Sequence, residues 1–202
     1  DRLIEISSVI SPSSLAEPVA YILTAGGKRV RPILTMLAAE VVGASWREAL
    51  GHAVAVEVLH NFTLVHDDIM DRARTRRGRP TVHTRWDEST AILAGDVMIG
   101  MAQQQLLVNA SVDAHASAQA FADGHVGVCE GQALDRDFET LEEVTLDDYI
   151  AMITMKTAKL LEVSAELGGI CGGASERDIQ ALKAFARHLG IAFQIQDDLL
   201  DI

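Results

Sequence analysis

Two groups of carboxylates share one spacing in this chain. Asp67-Asp68-Ile69-Met70-Asp71 and Asp197-Asp198-Leu199-Leu200-Asp201 both read D-D-x-x-D, each within an apolar, proline-free stretch. Three carboxylates within five residues of a helix repel one another unless a cation compensates them. Oxygen donors suit hard divalent metal, and two such sets point to metal-assisted phosphate chemistry. On a helix, His60, Leu64, Asp67, Asp68 and Asp71 share one face. Asp67 and Asp71 are then roughly 6 Å apart along the axis, with His60 roughly 10 Å further up. Gln194, Asp197, Asp198 and Asp201 form a matching stripe. Neither cluster has the alternating ligands and central glycine of a calcium-binding loop.

Cationic residues complete the pattern. Lys28, Arg29 and Arg31 follow Gly26-Gly27 at a helix start, where backbone N–H groups also favour phosphate. Arg76-Arg77 follow the first acidic cluster closely, and guanidinium groups bind phosphate through two parallel hydrogen bonds. Lys156 and Thr157 lie among Ile153, Leu160 and Leu161, a setting in which an unpaired ammonium is costly. Carboxylates for metal and cations for phosphate imply polyphosphate ligands, two of them. The sequence has no Walker loop, which disfavours a nucleoside triphosphate.

The elements that must carry these residues are helices. Of 202 residues, 49% are hydrophobic and only 4 are proline, which predicts one all-α domain over 1–202. Helices are expected over 15–25 and 29–43 around Gly26-Gly27, and from Trp46 to about Arg74, where Val54, Val58, Phe62, Val65 and Ile69 recur at helical steps. Residues 75–85 read as a basic loop. Helical patterning resumes near Glu88 to about Asn109 and again over 113–139. Thr145-Leu-Asp-Asp148 resembles a capping box ahead of the Lys156 helix. Gly168-Gly169 and Gly172-Gly173 are expected to break the chain, and Ser175 to cap a last helix over 176–202.

A net charge of −12 argues against nucleic acid and anionic membrane as partners. No apolar run approaches the ~18 residues of a spanning helix, so stable membrane insertion is not expected. Cys129 and Cys171 are too few for a disulfide framework, which fits a reduced, cytoplasmic setting. Ile202 directly follows the second acidic cluster, so the sequence reads as truncated or partly disordered beyond 202.

Taken in order, GGKRVRP at 26–32, LHNFTLVHDDIMD at 59–71, RRGRPTVH at 76–83, LAGD at 93–96, GQALD at 131–135, KTAKL at 156–160 and FQIQDDLLD at 193–201 resemble the trans-isoprenyl diphosphate synthases, or polyprenyl synthetases. The resemblance covers nearly the whole chain. It implies an antiparallel helical bundle of the isoprenoid synthase type around a central apolar cleft, usually a homodimer. It also implies condensation of isopentenyl diphosphate with an allylic diphosphate. Asp67, Asp71 and Asp197 would ligate Mg²⁺ (or Mn²⁺), supported by Asp68, Asp198 and Asp201. Arg76, Lys156 and Gln194 would contact the allylic diphosphate, and Lys28, Arg31, His60 and Arg77 the isopentenyl diphosphate. Thr157 is similar to a threonine that steadies the carbocation. Gln132 and Asp135 match a family motif and equally suit helix–helix hydrogen bonding.

In similar enzymes, bulky residues one turn upstream of the first aspartate form the floor of the chain-elongation pocket. Here those positions are Phe62 and Thr63. One aromatic rather than two resembles geranylgeranyl-type enzymes, so a C20 product is expected, with C15 next. A class I terpene cyclase and a noncatalytic subunit of a heteromeric synthase are the alternatives. The second diphosphate site implied for Lys28, Arg31 and His60 argues against the first, and retention of both acidic motifs against the second.

Overall fold

The computed structural model describes residues 2–108 and 113–200. In order, the elements are α1 (Arg2–Ser7), α2 (Ser13–Leu23), α3 (Val30–Val41), α4 (Leu50–Met70), β1 (Thr75–Arg76), β2 (Arg79–Pro80), α5 (Val82–Arg85), α6 (Glu88–Leu106), α7 (Ala114–Phe138), α8 (Leu146–Ile153), a π-helical turn (Thr154–Ala158), α9 (Lys159–Cys171) and α10 (Glu176–Leu200). Every long element is a helix, as the patterning predicts. No described helix is long and apolar enough to cross a membrane.

The chain forms two compact units, Asp1–Arg29 with Val54–Val108, and Val30–Ala53 with Asn109–Ile202. In the first, α2 and α5 pack on α6. The fully buried residues there include Val19 and Leu23 of α2, Val56, Val58 and Leu59 of α4, and Ala91, Ala94 and Met98 of α6. Asp87 caps α6 by accepting a hydrogen bond from the Thr90 N–H at 2.7 Å, which satisfies one of the first unpaired amides.

In the second unit, α9 is the central element. Its neighbours are α3, α7 and α10, and almost every residue from Leu160 to Cys171 is buried. Ala38 of α3 and Ala186 of α10 form one buried cluster with Leu161 and Ala165 of α9, and these alanines let α3 and α10 approach α9 closely. The capping box at Thr145 forms as expected: its hydroxyl accepts from the Asp148 N–H, and the Asp148 carboxylate accepts from the Thr145 N–H. Ser175 likewise accepts from the Asp178 N–H at the start of α10.

Gly168-Gly169 do not break the chain; both lie inside α9. A Cβ on Gly168 would sit 2.2 Å from the Thr35 carbonyl oxygen and 2.7 Å from Ala38 Cβ. This glycine allows α3 to close on α9 rather than turning the chain. The turn comes at Gly173, with φ 66°, where the Ala174 N–H reaches back to the Gly169 carbonyl in the manner of a helix C-cap. The helix read from Trp46 starts only at Leu50. It ends at Met70 because Arg72 takes φ 52° and the Ala73 N–H bonds the Asp68 carbonyl at 2.9 Å.

Glu162 of α9 is 3% exposed and meets Arg187 Nε at 2.8 Å, Lys159 Nζ at 3.3 Å and Lys183 Nζ at 3.9 Å. Burial pushes its carboxyl up, but Arg187 and Lys159 outweigh burial and hold it below the ordinary 4.5. A carboxyl depressed on folding stabilises the protein fully above its unfolded pKa, and this is lost as pH falls through the folded value. Glu162→Gln is therefore expected to lower the melting temperature at neutral pH, with the gap closing as pH falls below 4.5; a gap independent of pH would count against this pairing. Gly168→Ala is expected to cost about 1–3 kcal/mol in chemical denaturation, the range for forced overpacking.

Candidate functional site

In the first unit, the acidic end of α4 meets the hairpin that follows it. Asp68 is buried, and Arg76 Nε donates to its Oδ1 at 2.7 Å while Arg76 Nη2 lies 3.6 Å from Asp67 Oδ2. Burial pushes the Asp68 carboxyl above 3.8, against the opposing pull of Arg76. Asp71 is exposed and extends the last turn, its N–H bonding the Asp67 carbonyl at 2.9 Å.

The position of Arg76 is set by the β1–β2 hairpin, in which Arg76 pairs with Arg79 and Thr75 with Pro80. Sequence patterning reads this segment as loop because two-residue strands have no room to alternate. Tyr21 of α2 holds the hairpin: its hydroxyl donates to the Pro80 carbonyl at 2.8 Å. Its ring carries the Arg79 guanidinium at 3.9 Å and that of Arg85 at 4.5 Å, and Trp86 meets it edge-on. Such cation–π contacts are worth about 0.5–1 kcal/mol each at exposed sites.

The glycine-rich segment is anchored by Arg29 rather than by Lys28. Arg29, at φ 52°, forms an ion pair with buried Glu57 and donates to the Leu23 carbonyl at 2.9 Å. Asn61 completes the arrangement, its amide donating to Glu57 Oε1 at 3.1 Å. Lys28 is left exposed. Arg77 donates to the Gly26 carbonyl, and its guanidinium carbon lies 3.2 Å from where a Gly27 Cβ would be. Burial, reinforced by Arg29, lowers the pKa of Arg77. On α4, next after Asn61, Phe62 is 6% exposed and packs edge-on against His66, with ring centres 4.7 Å apart. His60 and Thr63 are half-buried neighbours, the Thr63 hydroxyl donating to the His60 carbonyl.

In the second unit, Lys156 and Thr157 sit in the π-helical turn between α8 and α9. Two glycines press on this turn. A Cβ on Gly131 of α7 would lie 2.3 Å from the Lys156 backbone nitrogen, and one on Gly190 of α10 would lie 2.5 Å from Ala158 Cα. Lys156 forms an ion pair with Asp135 of α7, so the helix–helix reading of Asp135 has a contact behind it. The Thr157 hydroxyl donates to Gln194 Oε1 at 2.8 Å, and Gln194 Nε2 donates to Asp198 Oδ1 at 2.7 Å. The Tyr149 hydroxyl donates to Asp198 Oδ2; that hydrogen bond, followed by burial, pushes the phenol up to about 12. Asp197 is exposed, and Arg31 is half-buried on α3 in this unit. Asp201 lies outside the described residues.

The sequence model of one family, Polyprenyl synthetase, matches residues 12–202. The chain belongs to the polyprenyl synthetase family. It is 44% identical over 203 residues to a short chain isoprenyl diphosphate synthase of Methanothermobacter thermautotrophicus, covering 100% of this chain and 62% of that protein. It is also 44% identical over 200 residues to a geranylgeranyl diphosphate synthase of Methanosarcina mazei, covering 98% and 62%. The crystal structure of a geranylgeranyl pyrophosphate synthetase from Pyrococcus horikoshii superposes with a TM-score of 0.95 at 41% identity, over 100% of this chain and 62% of that one. The chain thus spans about 62% of the length of these relatives.

Within this polyprenyl synthetase chain, the structure brings Asp67, Asp68 and Arg76 together, and separately Thr157, Gln194 and Asp198. Sequence reasoning missed Glu57, Asn61 and Tyr149. A single acid in the run Val54–Leu59, four residues before Asn61, is a signal that could have found the first two. Nothing local marks Tyr149, whose partner is 49 residues away. Gly131→Ala is expected to lower stability by about 1–3 kcal/mol and to displace Lys156. Denaturation together with loss of the Lys156–Asp135 contact in a crystal structure of the variant would show both effects.

Proposed function

We propose that this chain is a prenyltransferase that condenses isopentenyl diphosphate with an allylic diphosphate, releasing pyrophosphate. The observation that carries the reading is the meeting of Asp67, Asp68 and Arg76, carboxylates for metal and a guanidinium for phosphate at one place. Asp67, Asp71 and Asp197 are proposed as ligands of Mg²⁺, with Asp68, Asp198 and Asp201 in support. Among the described residues no three His, Cys, Asp or Glu side chains gather as a metal group. Magnesium is often held by one or two carboxylates with water and substrate phosphates, and the carboxylate donors of α4 fit that chemistry. When bound, the metal supplies positive charge against the diphosphate.

The chain's own cations would act beside it. Arg76 and Lys156 each hold an internal carboxylate partner in the structure, and an incoming diphosphate would compete for both. Their charge favours the leaving diphosphate as the C–O bond breaks, while Thr157 and apolar walls would shelter the allylic cation from water. Lys28, Arg31, His60 and Arg77 are proposed to hold isopentenyl diphosphate, whose double bond attacks that cation; the new cation then loses a proton to the released pyrophosphate, which restores a double bond in the product. The burial of Phe62 against His66 supports its role as a floor, and relatives named geranylgeranyl diphosphate synthase support a C20 product, with C15 next.

Mass spectrometry of products from isopentenyl diphosphate with each of the C5, C10 and C15 allylic starters tests the reading. Linear C20 or C15 diphosphate is expected, and chelation of divalent metal should abolish it. A cyclic hydrocarbon from allylic diphosphate alone would overturn it. Phe62→Ala is expected to lengthen the product; an unchanged product spectrum would remove Phe62 as the floor.

A further inference from the structure

Thr157, Gln194, Asp198 and Tyr149 are joined end to end by hydrogen bonds, and the donors in that chain run in one direction. Asp198, as a carboxylate, can only accept. It takes one hydrogen bond from the Tyr149 hydroxyl at Oδ2 and one from Gln194 Nε2 at Oδ1. The amide of Gln194 must therefore turn its NH₂ toward Asp198, which leaves its oxygen facing Thr157. That oxygen can only accept, so Thr157 must give up its single hydroxyl proton to it, across 2.8 Å. The lone pairs of the Thr157 oxygen are then left for a third partner. A threonine in a helix often spends its hydroxyl on the carbonyl one turn back, as Thr154 at the start of the π-helical turn does on Ile150. Thr157, three residues on in the same turn, gives its hydroxyl to Gln194 instead.

We propose that Tyr149 is a positioning residue that, through Asp198 and Gln194, fixes the Thr157 hydroxyl with its lone pairs presented to positive charge. This rests on the prenyl-transfer reading, in which that charge is the allylic cation. Neither Tyr149 nor its neighbours in α8 need touch substrate. Among the described residues the tyrosine supplies the donor that holds the second carboxylate oxygen, so the first stays aligned on the Gln194 amide. An amide free to flip would turn its NH₂ toward Thr157 and take up a lone pair. Tyr149 is well placed for this because the capping box at Thr145 fixes the first turn of α8, and Gly190 brings α10 within contact of the turn that carries Thr157.

Tyr149→Phe, Thr157→Val and the double variant, made in the natural polypeptide, test this. A hydrogen bond to a charged group sets the scale, so Tyr149→Phe is expected to lower kcat about tenfold. The KM for isopentenyl diphosphate should stay within about twofold, since the lost group does not touch substrate, and the thermal midpoint should fall by no more than a few degrees, the loss of one hydrogen bond. Because both residues act through one oxygen, the double variant should be no slower than Thr157→Val beyond about twofold. In ¹⁵N-labelled protein, the side-chain NH₂ signals of Gln194 should shift and exchange faster with water in Tyr149→Phe. Wild-type kcat in Tyr149→Phe, fully additive losses in the double variant, or unmoved Gln194 amide signals would each overturn the inference. A wild-type protein that fails to condense the two diphosphates would instead remove the prenyl-transfer reading, while the Gln194 signals would still decide the order of the hydrogen bonds.

Discussion

A helix buried along nearly its whole length has no free face, so its neighbours can come close only where a side chain on one of the two helices is small. That is the situation of α9, and the architecture of the second unit follows from it. Gly168 admits the backbone of α3, Gly124 of α7 lies against Val163, and Gly190 brings in α10. The residues just before α9 inherit this crowding. Held between Gly131 and Gly190, the segment Thr154–Ala158 widens into a π-helical turn, a local form often found at functional positions. Within that turn Thr154 bonds the Ile150 carbonyl, while Thr157 turns its hydroxyl to Gln194. The placement of Lys156 and Thr157 is thus a product of packing several residues away.

The first unit solves a different problem, the concentration of like charge. Arg29, Arg76, Arg77, Arg79 and Arg85 crowd one region of an acidic chain. Each has a specific partner: Glu57, the Asp67 and Asp68 carboxylates, the Gly26 carbonyl, or the ring of Tyr21. Some partners are buried and fixed, as with Glu57. Others are half-buried, as with Asp67.

Much of this was legible in the sequence, for reasons that differ from residue to residue. Helical apolar spacing located α4 and α6, because burial of one face leaves a regular trace. The capping box at Thr145 was visible because it uses four consecutive residues. The π-helical turn was not, since widening by one residue over a single turn hardly alters the apolar pattern. Gly168 was misread as a breaker because sequence does not tell a glycine needed for its backbone freedom from one needed for its missing side chain. Tyr149 and Glu162 were silent because their meaning lies with partners 49 and 25 residues away. The acidic clusters were plain as motifs, whereas the tie between Asp68 and Arg76 depended on a hairpin too short to predict.

Arg29, Arg72 and Arg77 all adopt φ 52°, a conformation that costs L-residues roughly 1–2 kcal/mol each. Glycine would adopt it without strain, yet the chain keeps arginine at all three. Selection for heat tolerance alone would thus reward glycine at Arg72, whose side chain has no role in the fold described above. At Arg29 and Arg77 the same pressure would trade away charge. A lineage of thermostable variants should therefore accumulate backbone relief at one of these positions and resist it at the other two, a pattern of unequal drift written by electrostatics rather than by shape.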